Sequence, residues 1–293
     1  MSSRTVKSIP IRRIAATDKA PDLSRVLRIR TVESILRGRD LVHDLHRHDF
    51  YFVLVIGKGT GTHTVDFSAF DVKGRSVFFL RPGQVHELKL KAGSTGFLME
   101  FSPAFCRHRD QVSSQLLRRA SSRNHYQLSV DRCGKVLGTL KSIYDESLSL
   151  EPGYEEAIRS HLGVFFIELV RERQQHQDSQ DKERDNYSLD RLEEFQDLLE
   201  KHVSELKKVT DYADRLHLSA YQLNQITKTT LGKTASELID EFVVLEARRY
   251  LLATSNQVNQ IAYLLGFEDS SYFIRFFRKH TGQSPDAFRM NFK

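Results

Sequence analysis

Cysteine is almost absent. Cys106 and Cys133 are the only two in 293 residues, and no short spacing pairs them. That excludes a disulfide scaffold and a cysteine-built zinc site, and it suits a reducing compartment with both thiols as buried bystanders. Long apolar runs are missing too: Phe50 to Ile56 and Gly163 to Ile167 fall far short of the roughly 20 residues that cross a bilayer. Met1 to Pro10 lacks an apolar stretch of signal-peptide length, so a cytoplasmic chain without a membrane partner is expected. The last hundred residues also lack a surplus of positive charge. From Tyr187 to Lys293 there are 14 Lys and Arg against 15 Asp and Glu, which leaves 30 against 23 elsewhere. The net charge of +6 therefore does not say which part would meet a polyanion. No phosphate loop, Ser/His/Asp set or carboxylate pair stands out, so neither catalysis nor a cofactor is expected.

Hydrophobic residues make up 40% and charged residues 28%, an ordinary globular balance over a length that calls for more than one core. Between Leu41 and about Phe101 the chain reads as short strands. Phe50 to Ile56 is aromatic and β-branched, Thr60 to Phe67 alternates, and Ser76 to Leu80 and Glu87 to Leu90 follow, with glycines such as Gly57, Gly74 and Gly83 between them. Two amphipathic helices come next. One stripe holds Val136, Leu140 and Ile143, and the other holds Ile158, Leu162, Phe165 and Leu169. Each stripe needs a partner surface, either the β unit itself or a second copy in a homodimer. The stretch from Glu172 to Asn186 has no apolar residue and reads as a linker or a frayed helix end. The expected fold class is α+β. Residues 1–110 form a β-barrel or sandwich, 111–173 a helical or dimerisation segment, 174–187 a linker, and 188–293 an all-helical domain.

The helical domain carries an internal repeat. A helix over Val209 to Leu216 breaks at His217 and Leu218, and a second short helix opens at Ser219, whose hydroxyl can cap it. Ala213 permits a close helix crossing, and Leu216, Leu218, Leu223 and Ile226 form the apolar wedge. After 49 residues the pattern returns with Ile261, Ala262, Leu265, Gly266 and Phe267, then a helix from about Asp269 to His280 with Tyr272, Phe273, Phe276 and Phe277 inward. The second turn is one residue longer. Between the units, Thr234 to Leu252 reads as one long helix that starts with a capping box of Thr234 and Glu237. At 1.5 Å per residue it spans about 28 Å, close to the roughly 34 Å between successive major-groove faces on one side of B-DNA.

The run YADRLHLSAYQLNQITKTTLGKTASELIDEF, with EARRYLLATSNQVNQIAYLLGFEDSSYFIRFFRKHTGQSPDAFR after it, resembles the DNA-binding domain of the AraC/XylS family of bacterial regulators. The resemblance covers about Leu189 to Arg289. It implies two helix-turn-helix units on bipartite promoter sites in double-stranded DNA, and activation through contact with RNA polymerase. DNA-facing candidates on the first recognition helix are Ala220, Tyr221, Asn224, Gln225 and Lys228, since Asn and Gln can pair with adenine and Tyr221 can pack on a thymine methyl. On the second they are Ser270, Ser271 and Arg275, with Arg278 and Lys279 nearer phosphate. Asn224, Gln225 and Arg275 have the spacing best suited to groove entry. Val243 and Gln225 stand where the family often carries arginine, so amides carry more of the reading and phosphate attraction is weaker.

The run HRHDFYFVLVIGKGTGTH, with FFLRPGQVHEL later, resembles the cupin-like sensor domains that precede such DNA-binding domains. His46 and His48 point the same way on an extended strand, as paired metal ligands would. A metal-using cupin would place a glutamate a few residues on, where Phe50, Tyr51, Phe52 and Val53 stand, so no metal is expected. The histidines are then structural, or they contact a small-molecule effector in a pocket lined by His46, His48, Arg81 and His86. A rival reading makes this region a metal-dependent enzyme with the helical part as accessory, and a third makes it a dimerisation module with no effector.

Overall fold

The computed structural model describes residues 11–12, 26–106, 111–174 and 182–291. They fall into two compact units, one within Pro10–Gln177 and one within Asp178–Lys293. Residues 1–10 and 175–181, where the leader reading and half of the expected linker fall, lie outside the described residues.

The described residues of the first unit form ten strands: β1 (Ile11–Arg12), β2 (Leu27–Thr31), β3 (Leu41–His48), β4 (Tyr51–Lys58), β5 (Gly61–Val65), β6 (Ser68–Val72), β7 (Ser76–Leu80), β8 (Val85–Leu90), β9 (Thr95–Phe101) and β10 (His125–Gln127). They form two five-stranded sheets, ordered β1-β3-β8-β5-β6 and β10-β7-β4-β9-β2. Every pairing is antiparallel except β1 with β3. The second sheet is covered on both faces, which is why Phe52–Ile56 of β4 and Val77–Leu80 of β7 are apolar without alternation. Phe52, Leu54, Ile56, Phe78 and Leu80 belong to one buried cluster, with Leu88, Leu90 and Val65 of the first sheet. Val53, Val55, Val77 and Phe79 belong to another. The first sheet buries one face only, and its strands alternate accordingly: Val65, Leu88 and Leu90 are buried while Thr62 and Lys89 are exposed.

The described residues of this unit also form five helices: α1 (Val32–Leu36), α2 (Pro103–Cys106), α3 (Gln111–Ser121), α4 (Val130–Ser149) and α5 (Tyr154–Gln174). The stripes of α4 and α5 pack into the same cluster as Val53, Val55 and Phe79. The sheet of this chain thus occupies the surface that a second copy would have needed. Arg132 on α4 and Glu168 on α5 form a buried ion pair, and Glu172 joins it 3.4 Å from Arg132 Nε. The backbone N–H of Ser129 donates to Glu172 at 3.0 Å. Glu172, which opens the stretch read from sequence as a linker or frayed helix end, is held in α5 by polar rather than apolar burial. Cys133 is buried in the α4 face of that core.

The described residues of the second unit form seven helices: α6 (Lys182–His202), α7 (Val209–Arg215), α8 (Ala220–Leu231), α9 (Ala235–Ala253), α10 (Val258–Leu264), α11 (Ser270–Thr281) and α12 (Pro285–Asn291). α6 starts inside the span expected to be linker. α9 touches α8, α10, α11 and α12, so one helix supports both repeats. No helix among the described residues is long and apolar enough to cross a membrane.

Candidate nucleic-acid interface and histidine cluster

The two repeats are built part for part alike. α7 and α10 have seven residues each, and α8 and α11 have twelve. Tyr212, Ala213 and Leu216 are buried in the first, and Ile261, Ala262 and Leu265 in the second. The turn backbone is held in the same way: Leu218 N donates to Ala213 O and Phe267 N to Ala262 O, each at 2.9 Å. Both turns pass through a left-handed residue, His217 at φ 55° and Gly266 at φ 74°. At Gly266 a β-carbon would stand 1.9 Å from the Ser204 carbonyl oxygen, so only glycine fits. The extra residue of the second turn lies after Phe267, and the caps are accordingly Ser219 and Asp269. Ser219 and Gln222 exchange bonds in a capping box at 3.2 and 2.8 Å. The Asp269 carboxylate accepts from the amides of Ser271 at 2.8 Å and Tyr272 at 3.2 Å, bonds that hold its carboxyl below the usual range. Both recognition helices end at left-handed glycines, Gly232 and Gly282. The capping box at Thr234 and Glu237 that opens α9 forms as well.

Aligning the buried Leu223 with the buried Phe273 places Tyr221, Gln225 and Lys228 opposite Ser271, Arg275 and Arg278. All six side chains are exposed, as is Lys279. Ala220 and Ser270 are half-buried. Tyr221, at 76% exposure, is a large aromatic held open to solvent.

Two expected placements change. Asn224 is half-buried and its carboxamide is committed within the domain: Nδ2 donates to Ala220 O and Oδ1 accepts from Ala235 N, both at 3.0 Å. It ties α8 to the start of α9 rather than facing outward. Tyr272, expected inward, is 56% exposed, and Phe276 is only half-buried. Phe273 and Phe277, four apart, occupy the wedge. At 3.6 residues per turn their preceding neighbours sit about 100° away around the helix. Tyr272 therefore joins the exposed face beside Ser271.

Lys207 links the turn region of the second repeat to the end of α6. Its ammonium donates to Leu265 O at 2.6 Å and to Val203 O, and lies 5.5 Å from the Phe267 ring. Burial lowers its pKa to about 8.

In the sandwich unit the structure brings together histidines from three strands. His46 and His48 on β3, His63 on β5 and His86 on β8 are all at most 5% exposed, on the buried face of the first sheet. An irregularity in β3 makes this possible. The β3·β8 register shifts between His43 and His46, so that His43 pairs with Leu88 and His46 with His86. One extra residue turns His46 and His48 inward without turning His43 out. His86 Nε2 lies 2.8 Å from His48 Nε2 and 3.1 Å from His46 Nε2, and His86 Nδ1 lies 2.8 Å from His63 Nε2. Phe52 and Phe78 pack on the cluster, with ring centroids 4.9 Å from His86 and 4.6 Å from His63. Burial among apolar rings and other histidines drives the His63 pKa down to about 3 and that of His86 well below the ordinary value, so both rings are neutral near pH 7. Sequence reasoning had singled out three of these rings but had not joined His63 to them. Arg81 is half-buried in the turn before β8, where Gly83 N donates to His48 O at 2.8 Å. A separate cleft of about 400 Å³ opens beside Asp40–Val42, Thr60–Thr62 and Lys89–Lys91.

Two helix-turn-helix units on a shared helix, in a chain that also carries a β-sandwich unit, define a two-domain DNA-binding transcription regulator. An AraC-like ligand binding domain model matches residues 34–158, and a helix-turn-helix domain model matches residues 212–291. The HTH-type transcriptional activator RhaS of Yersinia pestis (strain Pestoides F) is 29% identical over 252 residues, covering 83% of this chain and 88% of RhaS. Among solved structures, unsaturated fatty acid bound ToxT from Vibrio cholerae strain SCE256 aligns over 90% of this chain and 95% of its own, at 18% identity and TM-score 0.43. An AraC-type transcriptional regulator from Chromobacterium violaceum aligns over 36% of this chain and 94% of its own, at 28% identity and TM-score 0.34. With a match to each of its two units, the chain is similar to the AraC/XylS family of transcription regulators.

Proposed function

We propose that this chain activates promoters by seating α8 and α11 in two successive major-groove segments of double-stranded DNA. Tyr221, Gln225 and Lys228 would face the first segment, and Ser271, Tyr272, Arg275, Arg278 and Lys279 the second. The repetition carries this reading: two equivalent helices present exposed polar faces from a common 19-residue helix, α9. Activation, with RNA polymerase as partner, follows the relative named as an activator and the family resemblance. A regulatory rather than catalytic role in the cytoplasm, where promoter DNA is found, follows from the same relative. Control of the response by a small molecule on the sandwich unit follows from the ligand-binding-domain match.

Selection of genomic fragments by the purified full chain, followed by sequencing, tests the DNA reading. The expected result is a recurrent pair of short elements about 10 to 10.5 base pairs apart between centres. Inserting half a helical turn between them should abolish specific retention. Enrichment of a single short element indifferent to the insertion would overturn the two-segment reading.

A further inference from the structure

We propose that His46, His48 and His86 form a binding site for one divalent transition-metal ion, with His63 as the residue that positions His86. The ligating atoms of the three all lie within 4.8 Å of one another, and the two close pairs stand at 2.8 and 3.1 Å. Two nitrogens about 2.0 to 2.1 Å from a common ion, at angles between 90° and tetrahedral, are about 2.8 to 3.4 Å apart. The two close pairs already lie in that range, and the third, His46 with His48, needs to close from no more than 4.8 Å by a turn of the side chains to admit an ion.

The outer hydrogen bonds favour the same arrangement. His46 Nδ1 lies 2.6 Å from the Asp44 carbonyl oxygen. A carbonyl only accepts, so Nδ1 carries a proton, and in the neutral form of the ring Nε2 is then a lone pair turned toward His86. His86 has His63 Nε2 at its own Nδ1. When His86 donates there, its Nε2 is also a lone pair, directed at the Nε2 atoms of His46 and His48. Lone pairs facing one another this closely need a proton or a metal cation among them, and one ion bound by all three rings serves both contacts at once. Metal-ligating histidines generally donate their other ring N–H to a carbonyl or similar acceptor, as His46 does to Asp44 and His86 can to His63.

The donor set narrows the ion. Three imidazoles without a thiolate suit zinc, copper, nickel or ferrous iron, whereas calcium and magnesium require oxygen ligands. No carboxylate joins the three among the described residues. The ion thus keeps at least one coordination position for water or a small anion. The site lies wholly in the sandwich unit and stands apart from the reading of the DNA-facing helices.

The full chain, stripped with a strong chelator and dialysed free of it, would be titrated with Zn²⁺ and with Co²⁺. One equivalent per chain is expected, with visible cobalt bands of a low-coordinate nitrogen site and three imidazole scatterers in the X-ray absorption of the zinc-loaded chain. His46→Ala and His86→Ala should each weaken uptake at least about 100-fold, and His63→Ala about 10- to 100-fold with shifted cobalt bands. His161→Ala, on α5, should change neither. Failure of the wild-type chain to take up a stoichiometric ion would overturn the proposal in favour of imidazoles that share protons. So would uptake that survives the double variant His46→Ala/His86→Ala. The absorption measurement on wild-type protein decides even where a buried-histidine variant fails to fold, since fewer than three imidazoles there also overturns the assignment.

Discussion

Between Val209 and Leu231 the chain builds a seven-residue helix, a turn through the left-handed His217 and a twelve-residue helix; between Val258 and Thr281 it builds the same parts through the left-handed Gly266. The skeletons agree because the buried residues agree. Ala213 and Ala262 permit the crossing, Leu216 and Leu265 close the first helix, and Leu223 and Phe273 fill the wedge. The exposed positions diverge. Where the first helix shows Gln225, Lys228 and Thr229, the second shows Arg275, Arg278 and Lys279. Packing fixes what must be common, and the solvent face is left to set what each unit reads.

The largest expected difference between the units lies in their turns. Gly266→Ala puts a β-carbon 1.9 Å from a backbone carbonyl at a position with φ 74°. Left-handed geometry costs an alanine about 1 to 2 kcal/mol and overpacking adds about 1 to 3, so a loss of about 2 to 5 kcal/mol is expected. His217→Ala, already in the left-handed region with a side chain, should change stability by well under 1 kcal/mol. Urea unfolding of the two variants checks the contrast. Equal, small losses would mean that the Ser204 carbonyl yields easily.

On DNA the second unit should dominate. Arg275→Ala is expected to cost about 1 to 3 kcal/mol on the cognate site and to relax selection at one half-element. Arg278→Ala and Lys279→Ala should each lower the salt slope by about one, acting alike on cognate and random DNA. Gln225→Ala should relax the other half-element at a smaller cost. Affinity measured across salt concentrations separates these outcomes, and an equal loss on random DNA for Arg275→Ala would reassign it to phosphate.

Asn224 provides the next contrast, because its role is internal while that of the aligned Ile274 is not. Asn224→Ala removes the acceptor of Ala235 N and the donor to Ala220 O, and should cost about 1 to 2 kcal/mol of stability without changing which bases are selected. A changed base preference in the folded variant would restore it to the DNA face.

These cases mark what the sequence made legible. Ala213, Ala262 and the apolar wedge are read directly, because close packing permits few residue types there. Asn224 looked like a base reader because its two partners, Ala220 and Ala235, lie on different helices whose meeting no local pattern reveals. Tyr272 was grouped with its aromatic neighbours, yet a shift of one position along a helix moves a side chain out of the wedge. The histidine cluster depended on a register shift in β3 that has no glycine or proline to announce it. Likewise the β5–β6 hairpin turns at Asp66 and Phe67, both left-handed, where the sequence read as continuing strand. The Asp66 carboxylate, which accepts from Val85 N at 3.1 Å and Gln84 Nε2 at 2.7 Å, holds that turn through contacts remote in sequence.

The smallest expected effect sharpens the comparison from the other side. His217 occupies the position that Gly266 fills in the second unit, and its left-handed backbone costs about 1 to 2 kcal/mol relative to a residue free of that penalty. Glycine relieves the strain but gives back about 0.5 to 1 kcal/mol through the greater freedom of the unfolded chain. His217→Gly should therefore stabilise the DNA-binding unit by no more than about 1.5 kcal/mol, read as a rise in urea midpoint at unchanged slope. A loss of stability instead would show that the exposed imidazole makes a favourable contact at the first turn, and that the two turns differ in more than the room available for a side chain.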